Sequence, residues 1–268
     1  MPNRLKDKVA LVVGAGSIGP GWGNGKATAV TFAREGAKVF CADVNVAAAQ
    51  ETADLITGEG GTAQAFRADV TNAGDVIAMV EACRAAYGRI DVLDNNVGIA
   101  LLGGVVEISE ADWDRVLAVN LKGAFLTMKH VIPVMIAQGG GSIINISSIA
   151  AIRYTGLPYS SYYASKAALS HLTRTSAVEY ASQRIRVNAI LPGLIQTPMV
   201  EHAAGFAAAY AAADLDAMWQ ARARQVPMGF GGDGFDVAWA AVYLASEESR
   251  YVTGLELVVD GGATLKYA

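Results

Sequence analysis

The sequence has few of the residues that bind metals or form disulfides. Its 268 residues include three histidines and two cysteines. His130, His171 and His202 are far apart and show no metal-ligand spacing, so we expect structural or surface roles for them and no metal site. Cys41 and Cys83 share no motif, and each lies in an apolar pattern. This is typical of reduced core cysteines and predicts a cytoplasmic protein.

The sequence also lacks long apolar segments and an excess of basic residues. No apolar run reaches the roughly 18 residues that a membrane span requires, and the run at 9–13 is too short for a signal-peptide core. The formal net charge of −4 provides no positive field for a phosphate backbone. Neither a membrane nor a nucleic acid is therefore an expected partner.

Charged residues are scarce at 17%, whereas hydrophobic residues make up 53% of the chain. Helices with several apolar faces are expected, some of them buried between subunits, so we expect a homo-oligomer. The chain is long enough to bury a sizeable core, and α/β chains of this length commonly form one domain. Because the sequence contains no repeat, linker or low-complexity tail, one domain covering residues 1–268 is predicted.

Short apolar runs alternate with helical patterns along the chain. Strands are predicted at 8–13, 37–42, 63–66, 90–94, 141–146, 185–191 and 255–259, and helices at 26–35, 46–56, 73–87, 109–138, 164–172 and 236–246. Asn120 interrupts the 109–138 pattern, and Pro133 is expected to kink or shorten its second half. This alternation predicts parallel βαβ units, with a ligand at the carboxyl ends of the strands.

A glycine-rich loop separates the first strand from the first helix. Gly14, Gly16 and Gly19 fit the pattern G-x-G-x-x-G, and more glycines follow before the helix. A strand, a glycine loop and a helix N-terminus together form a phosphate site, because bare backbone N–H groups and the helix dipole face the anion. A merely flexible turn is the alternative interpretation.

An aspartate ends the second strand. Asp43 lies 18 residues after Gly25, where a carboxylate can bind the ribose hydroxyls of an adenosine and repel a 2′-phosphate. This favours NAD over NADP, although Lys26 near the loop is a possible phosphate ligand. A solvated charge at a strand end is the alternative interpretation.

A tyrosine and a lysine four residues apart can lie side by side on a helix. Tyr162 and Lys166 have this spacing, whereas Tyr159 and Tyr163 have no lysine four residues later. An ammonium beside a phenol favours the phenolate, so a group with an ordinary pKa of ~10 could transfer protons nearer neutrality. A solvated helix face is the alternative when the pair is considered alone.

Together these features resemble the short-chain dehydrogenase/reductase family. The resemblance covers nearly the whole chain, and its motifs appear in a fixed order: the glycine loop, Asp69-Val70, Asn95-Asn96-Val97-Gly98, Asn120, Ile146-Ser147-Ser148, Tyr162-x-x-x-Lys166, Pro192-Gly193-x-x-x-Thr197-Pro198 and Val259-Asp260-Gly261-Gly262. It implies an α/β Rossmann-type fold, a doubly wound parallel sheet of seven strands with helices on both faces. Residues 1–147 would form the dinucleotide-binding half and residues 148–268 the catalytic and substrate-binding half. With the apolar helices, it also suggests a tetramer or a dimer.

The resemblance implies hydride transfer between a nicotinamide cofactor and a carbonyl or alcohol. Tyr162 would be the acid/base, and Lys166 would lower its pKa and hold the nicotinamide ribose. Ser148 would donate a hydrogen bond to the reacting oxygen, with Ser147 as the rival serine. Asn120 would position a water that carries the proton outward, although it could also merely stabilise a break in the helix.

The resemblance also implies a cofactor-binding set. Asp69 and Val70 would flank the adenine, Asn95 would support the adenosine side, and Ile195 and Thr197 would contact the nicotinamide carboxamide. The full expected set is Gly14, Ser17, Gly23, Asn24, Gly25, Asp43, Asp69, Val70, Asn95, Val97, Gly98, Tyr162, Lys166, Pro192, Gly193, Ile195 and Thr197.

Three features depart from the family pattern. Counted back from the helix, the second and third loop glycines are Gly23 and Gly25, which makes the loop five residues longer than usual. Trp22 in this insertion could cover the cofactor or fill a surface crevice, and we favour the crevice. Ser148 precedes Tyr162 by fourteen residues rather than thirteen, and Phe230 occupies a position where arginine is common.

The stretch 194–225 is predicted to be an irregular lid over the substrate. Met199, Phe206, Tyr210, Met218 and Trp219 would form its apolar wall, with core packing as the alternative. Further walls are expected from Leu101, Leu102 and the 154–159 loop.

An apolar lid favours an apolar or alicyclic secondary alcohol or ketone as the small-molecule substrate of an NAD-dependent alcohol dehydrogenase/ketone reductase. One alternative is an NADPH-dependent 3-oxoacyl or carbonyl reductase with the same catalytic residues. A non-catalytic dinucleotide-sensing scaffold is an alternative from a different class.

Overall fold

Seven parallel strands form the central layer of a computed structural model in which residues 3–201 and 214–266 are described. The strands are β1 (Val9–Val13), β2 (Lys38–Asp43), β3 (Thr62–Arg67), β4 (Val92–Asn95), β5 (Gly141–Ile146), β6 (Ile185–Pro192) and, after the short β7 (Ile195–Gln196) and β8 (Gly232–Asp233), β9 (Glu256–Val259). Their order is β3-β2-β1-β4-β5-β6-β9, and every pairing is parallel. The predicted seven-stranded parallel sheet is therefore confirmed.

Helices cover both faces of this sheet. The α-helices are α1 (Asn24–Arg34), α2 (Val46–Gly58), α3 (Ala73–Tyr87), α4 (Glu110–Leu117), α5 (Gly123–Gln138), α6 (Ser160–Tyr180), α7 (Pro198–Glu201), α8 (Leu215–Ala223) and α9 (Gly234–Ala245). Side chains of α1, α2 and α9 pack in one core cluster, and those of α3, α5 and α6 pack in the other. The arrangement is doubly wound, as predicted.

The inner strands are apolar because both of their faces are covered. All five residues of β1 are buried, and successive residues alternate between the two core clusters. Polar side chains mark the helix ends instead. The Asn72 side chain accepts hydrogen bonds from the first turn of α3, and Gly88 ends that helix in the left-handed conformation.

The structure corrects two details of the sequence interpretation. Pro133 lies inside α5 and does not shorten it, because the helix continues to Gln138. The stretch 194–225 is not simply irregular, since its described parts include β7, α7 and α8. His202, Phe206 and Tyr210 lie outside the described residues.

Two further searches apply to residues 3–201 and 214–266. No helix there has the length and apolarity needed to cross a bilayer. No cluster of three or more histidine, cysteine, aspartate or glutamate side chains there has the geometry of a metal site. Cys41 and Cys83 are both free and buried in the core.

Candidate active site

Two adjoining cavities lie at the carboxyl ends of the central strands. The strand order reverses between β1 and β4, which is where open α/β sheets bind ligands. The larger cavity, the outer cleft, has a volume of about 550 Å³, and the smaller one, the inner chamber, has about 120 Å³. Both cavities are lined by Asn24, Asn96, Gly98, Thr197 and Met199.

The glycine loop forms the floor of the outer cleft. Gly14 has φ +84°, a conformation that other residues rarely adopt, and a Cβ at Gly25 would overlap the carbonyl oxygen of Gly14. Gly23 is the N-cap of α1 and has no side chain to bind the first N–H groups of the helix. These groups therefore remain available to an anion.

The insertion in the loop is anchored to the protein and does not cover the cleft. The Trp22 ring lies 4.8 Å from the ring of Phe235 in α9, and Lys26 Nζ lies 5.2 Å from the Trp22 ring centroid. This is the crevice-filling role that we favoured. Lys26 also forms an ion pair with Glu51 at 2.5 Å, so its charge is committed to α2.

Two acidic side chains line the outer cleft at the ends of β2 and β3. Asp43 Oδ2 accepts a hydrogen bond from Gly16 N–H at 3.0 Å, and Oδ1 accepts one from Asn45 N–H at 2.9 Å. Gly16 thus holds Asp43 in place. Asp69 accepts from the Thr71 hydroxyl and backbone N–H, and these hydrogen bonds lower the pKa of the Asp69 carboxyl.

Tyr162 and Lys166 lie on the first turns of α6 and line the inner chamber. Lys166 is buried, its Nζ donates to the Ile146 carbonyl oxygen at 2.8 Å, and the same nitrogen lies 5.7 Å from the Tyr162 ring centroid. The structure therefore brings together the pair that the sequence singled out.

The charges of this pair differ from the sequence expectation. Burial raises the pKa of the Tyr162 hydroxyl, while a hydrogen bond with Ser148 lowers it to a smaller extent. Burial also lowers the pKa of Lys166 to about 8. Desolvation opposes both charged forms, and it outweighs the lowering of the Tyr162 pKa that we predicted from Lys166, because both side chains are buried.

Two adjacent serines at the end of β5 have different surroundings. The Ser148 hydroxyl contacts Tyr162 and accepts a hydrogen bond from Ala150 N–H at 3.1 Å. The Ser147 hydroxyl is bound to the Lys166 carbonyl oxygen and to the Ser170 hydroxyl, both at 3.0 Å. Of the two hydroxyl groups, that of Ser148 is the one beside Tyr162.

Asn120 lies in a π-helical turn, Ala118–Lys122, between α4 and α5. Such turns are frequent at functional sites. Its side chain binds both backbone groups of Ile99, and its Nδ2 also donates to Ser165 Oγ at 3.0 Å. Asn120 is not among the residues lining either cavity. It lies near Gly98 and Lys166, which do line them.

The expected cofactor-binding residues line the two cavities, with the exception of Asn95. The Asn95 side chain faces the opposite side of β4, where it binds Asn145 at 2.8 Å and Thr127 at 2.7 Å. Its neighbour Asn96 lines both cavities instead. The sequence motif contains both residues, but only the alternation of side chains along β4 distinguishes them.

The inner chamber has mixed polar and apolar walls. Apart from Tyr162, Lys166 and Ser148, it is lined by Thr155, Tyr159, Pro192, Leu194, Ile195, Met199, Val200 and Arg222, among others. Ala100 lines the inner chamber, whereas Leu101 and Leu102, which we expected to form a wall, are not among its lining residues. Met218 is fully buried against Leu157 and Val200, so it packs in a core cluster.

The residues present fit a dinucleotide. Gly14 and Gly25 let the loop pack closely against β4 and against itself, where a side chain would collide, so that its backbone lines the cleft. The first turn of α1 presents uncapped N–H groups, and Asp43 offers a carboxylate to hydroxyl groups at the far end. The outer cleft connects this cradle to Tyr162 and Ser148 through shared lining residues.

Comparisons with known proteins agree with this geometry. A family model described as Enoyl-(Acyl carrier protein) reductase matches residues 19–264. The chain is 39% identical over 262 residues to a 3-oxoacyl-(acyl-carrier-protein) reductase of Thermotoga maritima, with 98% of this chain and 100% of that protein covered. It is 36% identical over 268 residues to the cyclohexanol dehydrogenase of Acinetobacter sp., covering 99% and 98% of the two chains. A crystal structure of a short-chain dehydrogenase/reductase from Burkholderia xenovorans has 46% identity and a TM-score of 0.91, covering 99% and 100%.

Proposed function

Because the chain belongs to the short-chain dehydrogenase/reductase family, we propose that this oxidoreductase uses NAD(H) to interconvert a secondary alcohol and a ketone. The observation that carries the proposal is the placement of Tyr162 and Ser148 in the inner chamber, beside a glycine-lined cleft that fits a dinucleotide. The family uses nicotinamide cofactors. The choice of NAD and the substrate are the parts that we propose.

Tyr162 acts as the acid and base at the reacting oxygen. Its raised pKa keeps the hydroxyl protonated at neutral pH, so in reduction it donates its proton to the carbonyl oxygen. Ser148 donates a hydrogen bond to the same oxygen, where negative charge develops. The nicotinamide supplies or accepts the hydride when bound.

Lys166 and Asn120 support this proton transfer. The buried ammonium of Lys166 would bind the nicotinamide ribose and stabilise the phenolate of Tyr162. Asn120 holds the Gly98–Ile99 backbone against Lys166 through its two hydrogen bonds to Ile99. We propose that it also positions the water that carries the proton outward.

We propose an apolar or alicyclic substrate. Leu194, Met199 and Val200 give the inner chamber an apolar wall opposite the polar catalytic groups, and the similarity to a cyclohexanol dehydrogenase supports a cyclic alcohol. A panel of cyclic alcohols, sugars and acidic alcohols tests this directly. Much faster turnover of sugars or acids than of cyclic alcohols would reject it.

The alternative activity is NADPH-dependent reduction of a 3-oxoacyl group. The similarity to a 3-oxoacyl-(acyl-carrier-protein) reductase favours it. Asp43 opposes it, since a carboxylate held at this position repels a 2′-phosphate, and Lys26 is paired with Glu51.

Calorimetric titration with NADH and with NADPH at matched ionic strength separates the two. We expect NADH to bind at least about tenfold more tightly, and Asp43→Asn to reduce this preference because it removes the repulsion. A preference for NADPH in the unmodified protein would place the reductase activity first. If neither dinucleotide binds, the enlarged loop does not form a phosphate site.

The remaining proposals concern the setting of the enzyme. We propose a cytoplasmic homotetramer or dimer of a single-domain chain acting on a small molecule. Size-exclusion chromatography with light scattering measures the oligomeric state, and a monomer at micromolar concentration would reject this assembly.

A further inference from the structure

A buried carboxyl lies directly behind the site, at the end of β4. Asp94 is fully buried and pairs laterally with Val12 and Ile144, which belong to the core cluster beneath α1 and α9. Because laterally paired residues of a parallel sheet point to the same face, Asp94 points into this apolar layer. A charge there is costly unless it is paired.

The hydrogen bonds of Asp94 are incomplete within the described residues. Asn96 Nδ2 donates to Asp94 Oδ2, whereas Asp94 Oδ1 has no partner. Two buried oxygens on α1, Asn24 Oδ1 and Thr28 Oγ1, also have none. Because only one hydrogen bond from the described residues compensates the buried carboxylate charge, burial favours the neutral acid.

Asn96 connects this carboxyl to the two cavities. Its backbone N–H is bound to the Val13 carbonyl oxygen, and it lies close to Gly25 of the glycine loop. Its side chain lines both the outer cleft and the inner chamber. Since Nδ2 is bound to Asp94, the amide oxygen is the end that remains for a ligand.

Burial, rather than a charged neighbour, sets the protonation of Asp94. It raises the pKa of Asp94 to about 7, opposed only by the hydrogen bond from Asn96. Strands β1 and β5 contain no charged residue. On the helices that cover this face, Lys26 and Arg34 of α1 are paired with glutamates, and Asp236 of α9 caps its own helix.

We propose that Asp94 is a protonation-dependent positioning residue, which decides whether the Asn96 side chain presents its amide oxygen or its NH₂ group to the dinucleotide. An ionised Asp94 accepts from Nδ2 and leaves the oxygen facing the cavities. A neutral Asp94 donates its proton to Asn96 Oδ1, and the amide rotates so that Nδ2 faces the cavities. This inference rests on the proposed dinucleotide-binding function.

An anionic ligand selects the second state. The NH₂ group donates to phosphate or carboxamide oxygens, and a nearby negative charge raises the pKa of Asp94 further. Above pH 7, binding therefore takes up as much as one proton from solvent, and affinity falls as the pH rises through the pKa of Asp94 in the free protein, about 7.

The experiment is calorimetric titration of NADH between pH 6.5 and 8.5, in buffers of different ionisation enthalpy. The unmodified protein is expected to take up nearly one proton per NADH at pH 8.5 but only a fraction of one at pH 6.5, and to lose roughly 25-fold in affinity across this range. Asp94→Asn cannot take up this proton. Once the contribution of the other titrating groups is subtracted, its affinity is expected to change by less than about twofold across this range. Lys166 is present in both proteins, so the difference between them reports on position 94.

Two further variants complete the test. Asn96→Ala is expected to reduce the pH dependence clearly even if Asp94→Asn fails to fold, because the carboxyl then has no amide to reorient and only the charge of the ligand still acts on it. Asp91→Asn, at the opposite end of the same strand, is the matched control and should keep the pH dependence. Equal proton uptake by the unmodified, Asp94→Asn and Asn96→Ala proteins would overturn the inference. Failure of the unmodified protein to bind NADH or NADPH would instead reject the proposed function.

Discussion

Clefts of similar size lie at the two ends of the parallel strands, here called the amino edge and the carboxyl edge of the sheet. They differ in how far their polar groups are paired with one another. At the amino edge a cleft of about 750 Å³ is larger than the outer cleft at the carboxyl edge. It contains two ion pairs: Lys8 pairs with Glu247 at 2.8 Å, and Arg89 pairs with Asp91 at 2.6 Å. Arg186 there donates to the Leu244 carbonyl oxygen at 2.7 Å.

At the carboxyl edge, polar groups keep unused hydrogen-bonding capacity. Asn24 Oδ1, on a residue that lines both cavities, and Asp94 Oδ1, behind Asn96, have no partner within the described residues, whereas no residue lining the amino-edge cleft has such an atom. Burying such groups costs stability, so a fold keeps them where a ligand completes them. The contrast teaches that unmet hydrogen-bonding capacity, and not cleft volume, marks the functional edge.

Removing the Tyr162 hydroxyl is the strongest test that the carboxyl edge is the functional one. Tyr162→Phe is expected to reduce kcat by at least about 10³-fold, because it removes the acid and base, with little change in Tm. Tyr163→Phe is the matched control on the next residue: its hydroxyl accepts from Thr155 N–H and donates to the Leu157 carbonyl oxygen. The control should lose stability and keep most of its activity. Steady-state kinetics and thermal unfolding measure both, and comparable activity losses would reject the assignment of Tyr162.

The two adjacent serines allow a catalytic and a structural hydroxyl group to be compared at one strand end. Ser148→Ala is expected to lower kcat by about 10²-fold, because it removes a hydrogen bond to the developing oxyanion. Ser147→Ala is expected mainly to lower the free energy of unfolding, by about 1–3 kcal/mol, since it leaves the Lys166 carbonyl oxygen and Ser170 without this partner. Kinetics and denaturant titration of both variants check this. Equal, small losses of activity would count against Ser148 as a catalytic residue.

The local parts of this site could be predicted from the sequence, and the parts that depend on burial could not. The proximity of Tyr162 and Lys166 was predictable because residues four apart on a helix are neighbours, and the position of Gly14 and Gly25 because a strand, loop and helix follow one another. The raised pKa of Tyr162 could not be predicted, because desolvation depends on the elements that surround the ring.

The position of Asn95 and the omission of Arg222 have the same tertiary origin. Asn95 and Asn96 are adjacent in one motif, and only the direction of β4 in the folded sheet shows that Asn96 faces the cavities. The sequence interpretation likewise passed over Arg222, which is buried on α8 and lines the inner chamber. No local pattern distinguishes it from a surface arginine of an amphipathic helix.

A change of pH should affect the two directions of the reaction differently. Because the pKa of Tyr162 is raised, the hydroxyl stays protonated from pH 6 to 8, and the rate of ketone reduction at saturation should stay nearly constant. Alcohol oxidation needs the deprotonated form, so its rate should rise by up to about tenfold per pH unit.

Ser148→Ala provides the control for this profile. The hydrogen bond with Ser148 lowers the pKa of Tyr162, so its loss should move the rising limb to higher pH. Measured kcat profiles for both directions check this. An oxidation rate that falls as the pH rises from 6 to 7.5, below the pKa of Lys166 at about 8, would contradict the assignment of Tyr162 as the base.

The smallest effect on activity is expected at the amino edge. Asp91 Oδ2 accepts from Val9 N–H at 2.9 Å, and Arg89 donates to both carboxylate oxygens. Asp91→Asn weakens these hydrogen bonds and should cost about 1–3 kcal/mol of stability. Each kcal/mol lowers Tm by roughly 2–4 °C in a chain of this size, while kcat/KM at a permissive temperature should be unchanged. A large loss of kcat/KM in folded Asp91→Asn would contradict this expectation. It would show that the ion pair of Arg89 and Asp91 contributes to activity as well as to stability.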